Sequence, residues 1–196
     1  MTGTFIVLEG PDGCGTTLHT ALLAEKLRAE GRTVITTFEP TDGQIGSTIR
    51  TALQSHQSFD STELQQKFCA DRAWHIEHVI LPALRRGETV ISDRYISSTL
   101  AYGEALDIPL DKLKKMNKNF IQPDRLFFLL PPIEVCRERL QKRSSLDALE
   151  NLAFQGKVYA NYQRMAEEDP AIIVIDTSGE KEEVAKTIYR ELRIEN

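Results

Sequence analysis

Hydrophobic residues along the chain fall into short dense runs, separated by longer stretches in which they recur at helical spacing. Thr4-Phe5-Ile6-Val7-Leu8 is a β-rich run ended by glycine and reads as a buried strand. Past a glycine-rich turn, Leu18, Leu22, Leu23 and Leu27 repeat with helical spacing, and Gly31 closes that helix. Thr33-Val34-Ile35-Thr36-Thr37 reads as a second strand, stopped at Pro40. Glu63 to Arg86 reads as one long helix bent by Pro82, with Gly87 at its end. Thr89-Val90-Ile91-Ser92 and Leu126-Phe127-Phe128-Leu129-Leu130 read as the third and fourth strands, the latter followed by a very polar helix from Glu134 to Lys142. Ile172-Ile173-Val174-Ile175-Asp176 is the fifth strand, and a final helix runs from Lys181 to Leu192.

Strands alternating with helices predict an α/β domain whose parallel sheet is covered on both faces. No repeat, low-complexity tract or linker interrupts the pattern, so residues 1–196 are expected to form one domain. Ligands of such sheets sit beyond the carboxyl ends of the strands. The glycine-rich turn, Glu39-Pro40 and Asp93-Arg94 all fall at that edge.

Composition narrows the class without changing the fold. At 196 residues, 41% hydrophobic and 27% charged, the chain is an ordinary globular protein able to bury a core without staples. A net charge of -5 argues against nucleic acid as a partner, which wants a basic surface. Cys14, Cys69 and Cys136 are odd in number and lack metal-ligand spacing, as expected of a reducing compartment. Met1 leads directly into the first strand and no long apolar segment follows, so a cytoplasmic protein with no membrane span is expected. His75 and His78 lie one helical turn apart with no third ligand nearby, which favours packing or surface roles over metal binding.

Gly10-Pro11-Asp12-Gly13-Cys14-Gly15-Thr16-Thr17 matches the phosphate-loop pattern G-x-x-x-x-G-K-[ST] at every fixed position but one. Gly10, Gly13 and Gly15 let backbone N–H groups, including those of Cys14 and Thr16, turn toward phosphate oxygens at a helix N-terminus. Thr17 occupies the position whose hydroxyl coordinates Mg²⁺. Thr16 stands where lysine is expected and brings no charge to the β- and γ-phosphates.

This loop, with four further blocks in the same order, resembles the thymidylate (dTMP) kinase family of P-loop nucleoside-monophosphate kinases over nearly the whole chain. Leu8-Glu9-Gly10-Pro11-Asp12-Gly13 resembles the family's loop opening, and Glu39-Pro40-Thr41-Asp42 with Ile45-Gly46 resembles its second motif in an archaeal-like form. Lys67-Phe68-Cys69-Ala70-Asp71-Arg72-Ala73 is similar to the monophosphate-binding helix. Asp93-Arg94-Tyr95 with Ser98, Ala101 and Tyr102 resembles the most specific block, D-R-Y-x-x-S-x-x-A-Y. Arg143 to Tyr162 is similar to the lid and the helix that follows it, with Leu146-Asp147, Glu150, Phe154 and Val158 at matching positions.

The resemblance implies a three-layer α/β/α P-loop kinase fold, with a parallel sheet of about five strands and a short mobile lid over about residues 141–153. It also implies ATP and Mg²⁺ as cofactors, dTMP as substrate and a homodimer. Phe68 would stack on thymine, Arg72 would bond the base edge, and Thr99 lies where the family places a polar base contact. Arg94 would grip the acceptor phosphate beside Ser98, and Tyr102 would pack on the sugar. Glu39 would belong to the acceptor site, Asp12 to the transfer centre, and Asp93 would sit near the metal with Thr17.

Five departures cluster in the catalytic parts: Thr16 for lysine, Phe38 for arginine, Gly103 for glutamine, Pro131 for aspartate and Ala148 for the lid arginine. Transfer of a phosphoryl group relies on charge neutralisation, so replacement cations are expected among Arg139, Arg143 and Lys157, with Arg143 first. Two alternatives stay open at this level. One is a divergent nucleotide-binding homologue with weak or no transfer; the other is a kinase for another nucleoside monophosphate. Asp71-Arg72, read without the resemblance, fits a solvated helix face.

Overall fold

The computed structural model describes residues 3–55, 60–142, 149 and 151–193. Five strands, β1 (Thr4–Glu9), β2 (Val34–Phe38), β3 (Thr89–Asp93), β4 (Arg125–Leu129) and β5 (Ile172–Ile175), pair in parallel in the order β2-β3-β1-β4-β5. All five predicted strands are present, within a residue or two of their expected limits. β1 is central, and its side chains alternate between two cores as the two-residue period of a strand demands. Ile6 and Leu8 pack with Leu23 and Leu27 of α1 (Thr16–Ala29) and Ile188 of α9 (Lys181–Arg193). Phe5 and Val7 face the opposite side, with Val90, Ile80 and Tyr95. A third cluster around Phe128, Val158 and Tyr162 fills the space under the helices nearest the site.

The remaining helices are α2 (Gln44–Gln54), α3 (Ser61–His75), α4 (Leu81–Arg85), α5 (Ile96–Ala105), α6 (Leu110–Asn117), α7 (Ile133–Gln141), α8 (Leu152–Glu168) and α9 (Lys181–Arg193). The helix expected over Glu63 to Arg86 differs in detail. It starts at Ser61, where the Asp60 carboxylate accepts from Glu63 N–H at 2.8 Å and caps the first turn. It does not simply bend at Pro82. A π-helical turn over Ile76–Ile80 joins α3 to α4, because Pro82 offers no N–H to the preceding turn and the ladder must be redrawn. The segment ends in a Schellman pair, Glu88 N–H to Ala83 O and Gly87 N–H to Leu84 O, both 3.1 Å.

Helices α2, α5 and α6 were not expected from periodicity. α5 opens with Ile96-Ser97-Ser98-Thr99, residues of poor helix propensity. Its N-terminus is capped from a distance: buried Glu9, at the end of β1, accepts the N–H groups of Tyr95 (2.8 Å) and Ser98 (3.1 Å). Gly103 in α5 faces Leu113 of α6, and a Cβ there would come 2.6 Å from Leu113 Cδ2. Close packing of the two helices thus accounts for glycine at this position.

The chain leaves β1 toward β2 and β3 on one side and later crosses to β4 and β5 on the other. That reversal opens a crevice at the carboxyl end of β1, where doubly wound sheets bind ligands.

Candidate active site

The glycine-rich loop leaves β1 at Gly10 and enters α1 at Gly15. Gly13 holds φ 84°, and a Cβ on it would lie 2.6 Å from the Cys136 carbonyl of α7. No other residue type fits there. The carbonyl face of the loop is held from behind. Thr177 Oγ1 donates to Cys14 O at 2.6 Å, while Arg139 donates to Gly13 O at 3.2 Å and to Thr177 O at 2.7 Å. With its carbonyls engaged on that side, the loop turns toward the crevice, where the first N–H groups of α1 have no partner within the helix. Thr16 is buried and brings no charge. Burial pushes the Cys14 thiol up to about 12 and the Cys136 thiol up to about 11, so both stay neutral packing groups.

Thr17 and Asp93 meet at the mouth of the loop, where Thr17 Oγ1 donates to Asp93 Oδ2 at 2.5 Å. Asp93 Oδ1 is buried with no hydrogen-bond partner. A carboxylate oxygen left in that state calls for a positive charge. No cluster of three His, Cys, Asp or Glu side chains occurs among the described residues. A cation here would therefore be held by a hydroxyl and one carboxylate, with phosphate and water completing the shell, which fits Mg²⁺.

Arg94 sits at φ 71°, a left-handed conformation that costs a side-chain-bearing residue about 1–3 kcal/mol. That backbone aims its guanidinium back over the loop. Nη1 donates to Gly10 O at 2.7 Å and to Ser98 Oγ at 3.2 Å, and Nη2 pairs with Asp12 Oδ1 at 2.5 Å. Tyr102 Oη donates to the other Asp12 oxygen at 2.7 Å. Burial pushes the Tyr102 phenol well above its ordinary 10.0 against the pull of Arg94, so it remains a donor. Glu9 lies beneath Ser98, taking hydrogen bonds from Ser98 Oγ (2.6 Å) and Tyr162 Oη (2.9 Å). Desolvation raises its carboxyl above the ordinary range despite these donors.

An open cleft extends from this cluster along α3 and α5. Phe68, Arg72, Arg94, Ser98, Thr99 and Tyr102 line it together, joining α3 to α5. Phe68 is half-buried and packs on the third core cluster. The alternative of a solvated helix face for Asp71-Arg72 does not hold, since both are buried. Asp71 accepts from Thr41 N–H and Oγ1, each at 2.7 Å. Arg72 donates from Nε to Glu39 Oε2 (2.9 Å), from Nη1 to Asn117 Oδ1 (2.5 Å) and from Nη2 to Tyr95 O (2.7 Å). Glu39 is engaged on its other oxygen by His75 Nδ1 at 3.0 Å, and His75 Nε2 meets Thr37 Oγ1 at 2.6 Å. Glu39 lines the same cleft and anchors Arg72, and His75 is part of a buried polar chain rather than the surface.

Of the expected replacement cations, Arg139 is on the back of the loop. Lys157 points elsewhere, with Nζ 3.7 Å from Asp107 at the α5–α6 turn. Arg143, Ala148, Leu146-Asp147 and Glu150 lie outside the described residues. Sequence reasoning missed Gln155, which reaches from α8 to the loop. Its Oε1 accepts from Asp12 N–H at 3.1 Å, and its Nε2 donates to Asp12 Oδ2 and Leu149 O, both at 2.7 Å. No periodicity marks such a contact; only its burial in a helix of mixed polarity gives it away.

Comparison with known proteins identifies the family. The thymidylate kinase family model matches residues 8–188. The chain is 36% identical over 194 residues to a probable thymidylate kinase of Pyrococcus horikoshii, covering 96% of this chain and 95% of that protein. It is 37% identical over 198 residues to a thymidylate kinase of Bordetella petrii, with 97% and 95% covered. A thymidylate kinase of Exiguobacterium sibiricum is 33% identical over 195 residues, with 95% and 92% covered.

Proposed function

Because the chain belongs to the thymidylate kinase family, we propose that it transfers the γ-phosphoryl group of ATP to dTMP, giving dTDP and ADP. One observation carries the reading: Arg94 bonds the phosphate loop at Gly10 O and lines the acceptor cleft with the same guanidinium. A group so placed can hold an acceptor phosphate against a donor bound at the loop, and transfer of this kind depends on positioning and charge.

In this scheme the loop N–H groups and the α1 N-terminus hold the donor phosphates. Arg94 grips the acceptor phosphate, with its fork oriented by Asp12 and Ser98. Asp12 is itself oriented by Tyr102 and Gln155. Phe68 stacks on the base, Thr99 and Arg72 address its edge, and Tyr102 flanks the sugar. Glu39 fixes Arg72 in place. Thr17 and Asp93 would hold Mg²⁺, which would supply charge neutralisation for the donor phosphates. The acceptor phosphate is already anionic, so no general base is required. Arg139 shapes the donor side, and Arg143 supplies the charge that Thr16 and Ala148 do not. A cytoplasmic homodimer without nucleic-acid partners completes the reading, supported by the family resemblance and the net charge of -5; no described helix is long and apolar enough to cross a membrane.

The test is steady-state ATP turnover with dTMP, dUMP, dCMP, dGMP and AMP, run for the wild type, Thr16→Lys and Arg143→Ala. Turnover highest with dTMP and depressed in Arg143→Ala is expected, with Thr16→Lys raising the rate. A wild type that binds nucleotides but transfers nothing would sink the reading.

A further inference from the structure

Gln65 on α3 has no exposed surface, and neither the oxygen nor the nitrogen of its amide meets a hydrogen-bond partner. A carboxamide both donates and accepts, and proteins rarely leave such a group buried with both ends unmet. Gln65 lines the same cleft as Phe68 and Arg72. The three residues stand at positions i, i+3 and i+7, so they share one face of the helix. Across the cleft, Thr99 Oγ1 is also buried without a partner. Two unmet polar side chains from different helices thus line the cleft that Phe68 also lines. Internal strain or packing gives no reason for both to face one cavity; a planar ligand carrying adjacent donors and acceptors does.

We infer that Gln65 is a specificity-determining residue that reads the hydrogen-bonding edge of the acceptor base. Its amide oxygen accepts from the N3–H of a pyrimidine, and its amide N–H donates to the neighbouring carbonyl. This rests on the reading of the cleft as a nucleoside-monophosphate site. Arg72 decides which pyrimidine is taken. Its Nε and Nη2 are committed to Glu39 and Tyr95, and one Nη1–H to Asn117. What remains is a single donor with no accepting capacity. A carbonyl at C4 suits that donor, whereas the amino group of cytosine sets donor against donor. Gln65 alone could turn its amide over to fit cytosine. Beside Arg72 it is held to the orientation that fits an imide, as in thymine or uracil.

Equilibrium binding and turnover of dTMP, dCMP and N3-methyl-dTMP by the wild type, Gln65→Leu and Gln65→Met test the assignment. Removing an unmet amide from the interior should leave the ligand-free melting temperature unchanged or higher. The Kd and KM for dTMP should rise about 10–100-fold in both variants, while kcat stays within about threefold. The wild type should prefer dTMP to N3-methyl-dTMP by about tenfold or more, and the variants should lose that preference. Variants that keep wild-type Kd for dTMP, or keep the preference against N3-methylation, would overturn the role of Gln65. A wild type that binds dTMP but fails to phosphorylate it would count against transfer and leave the binding assignment standing. Failure of the wild type to bind dTMP at all would overturn both.

Discussion

Gln155 and Asp12, separated by 143 positions, grip each other through two hydrogen bonds: Asp12 N–H to Gln155 Oε1 and Gln155 Nε2 to Asp12 Oδ2. The same amide donates to Leu149 O, so one side chain joins the phosphate loop, α8 and the segment before it. Asp12 in turn orients Arg94. Gln155→Leu should therefore lower kcat about 10–100-fold by misplacing Arg94 without removing it. It should also cost about 1–3 kcal/mol of stability for the polar groups it orphans. Single-turnover kinetics and chemical denaturation measure the two effects, and a double-mutant cycle with Asp12→Asn should show them coupled.

Arg94→Lys keeps the charge but loses the fork that bonds Gly10 O, Ser98 and Asp12 together. A drop in kcat/KM of about 100-fold or more is expected, close to that of Arg94→Ala. Near-normal turnover by the lysine variant would mean that charge alone suffices.

Asp93→Asn removes the carboxylate whose Oδ1 lies buried and unmet, and Thr17→Ala removes the hydroxyl beside it. Half-saturating Mg²⁺ in the turnover assay should rise about 10–100-fold in each. Thr17→Ser, which keeps the hydroxyl, should remain within about threefold of wild type.

His19 is held below its ordinary 6.5 because burial disfavours the imidazolium and Arg139 repels it. Folding therefore favours the neutral ring, and the unfolded chain binds more protons. The stabilising contribution is full above the unfolded pKa and is lost as pH falls from about 6.5 through the folded value. Thermal melts across that interval should show the wild type losing stability faster than His19→Gln. Parallel curves would show that His19 makes no such contribution.

Strand positions were legible because Phe5-Ile6-Val7-Leu8 and Phe127-Phe128-Leu129 are dense apolar runs with polar brackets, a signal that needs no partner. The loop was legible from its glycines. α5 was not, since its first turn is stabilised by Glu9 from another element, and local propensity opposes a helix there. In the same way, Phe68, Arg94 and Tyr102 could be placed in one cleft from resemblance, while Gln65, Gln155 and His75 could not. Their roles depend on what they face or fail to face in three dimensions, and one sequence does not encode that in spacing. Arg72 shows both sides: the resemblance groups it with Phe68, with which it lines one cleft, but gives no sign that Glu39, Asn117 and Tyr95 already occupy most of its donors.

The strand order carries one more consequence. With β1 in the middle, residues behind the phosphate loop, such as Arg139 and Thr177, belong to the β4–β5 half, whereas Phe68, Arg72 and Thr99 belong to the β3 half or its helices. The Asp12–Arg94–Gln155 junction spans the two, together with contacts between α5 and α8 such as Ser98 with Tyr162 and Asn161 with the Ala101 carbonyl. If α3 reads the acceptor base as proposed, substitutions on it would alter which base is admitted while Arg139 and Thr177 keep the phosphate loop in place.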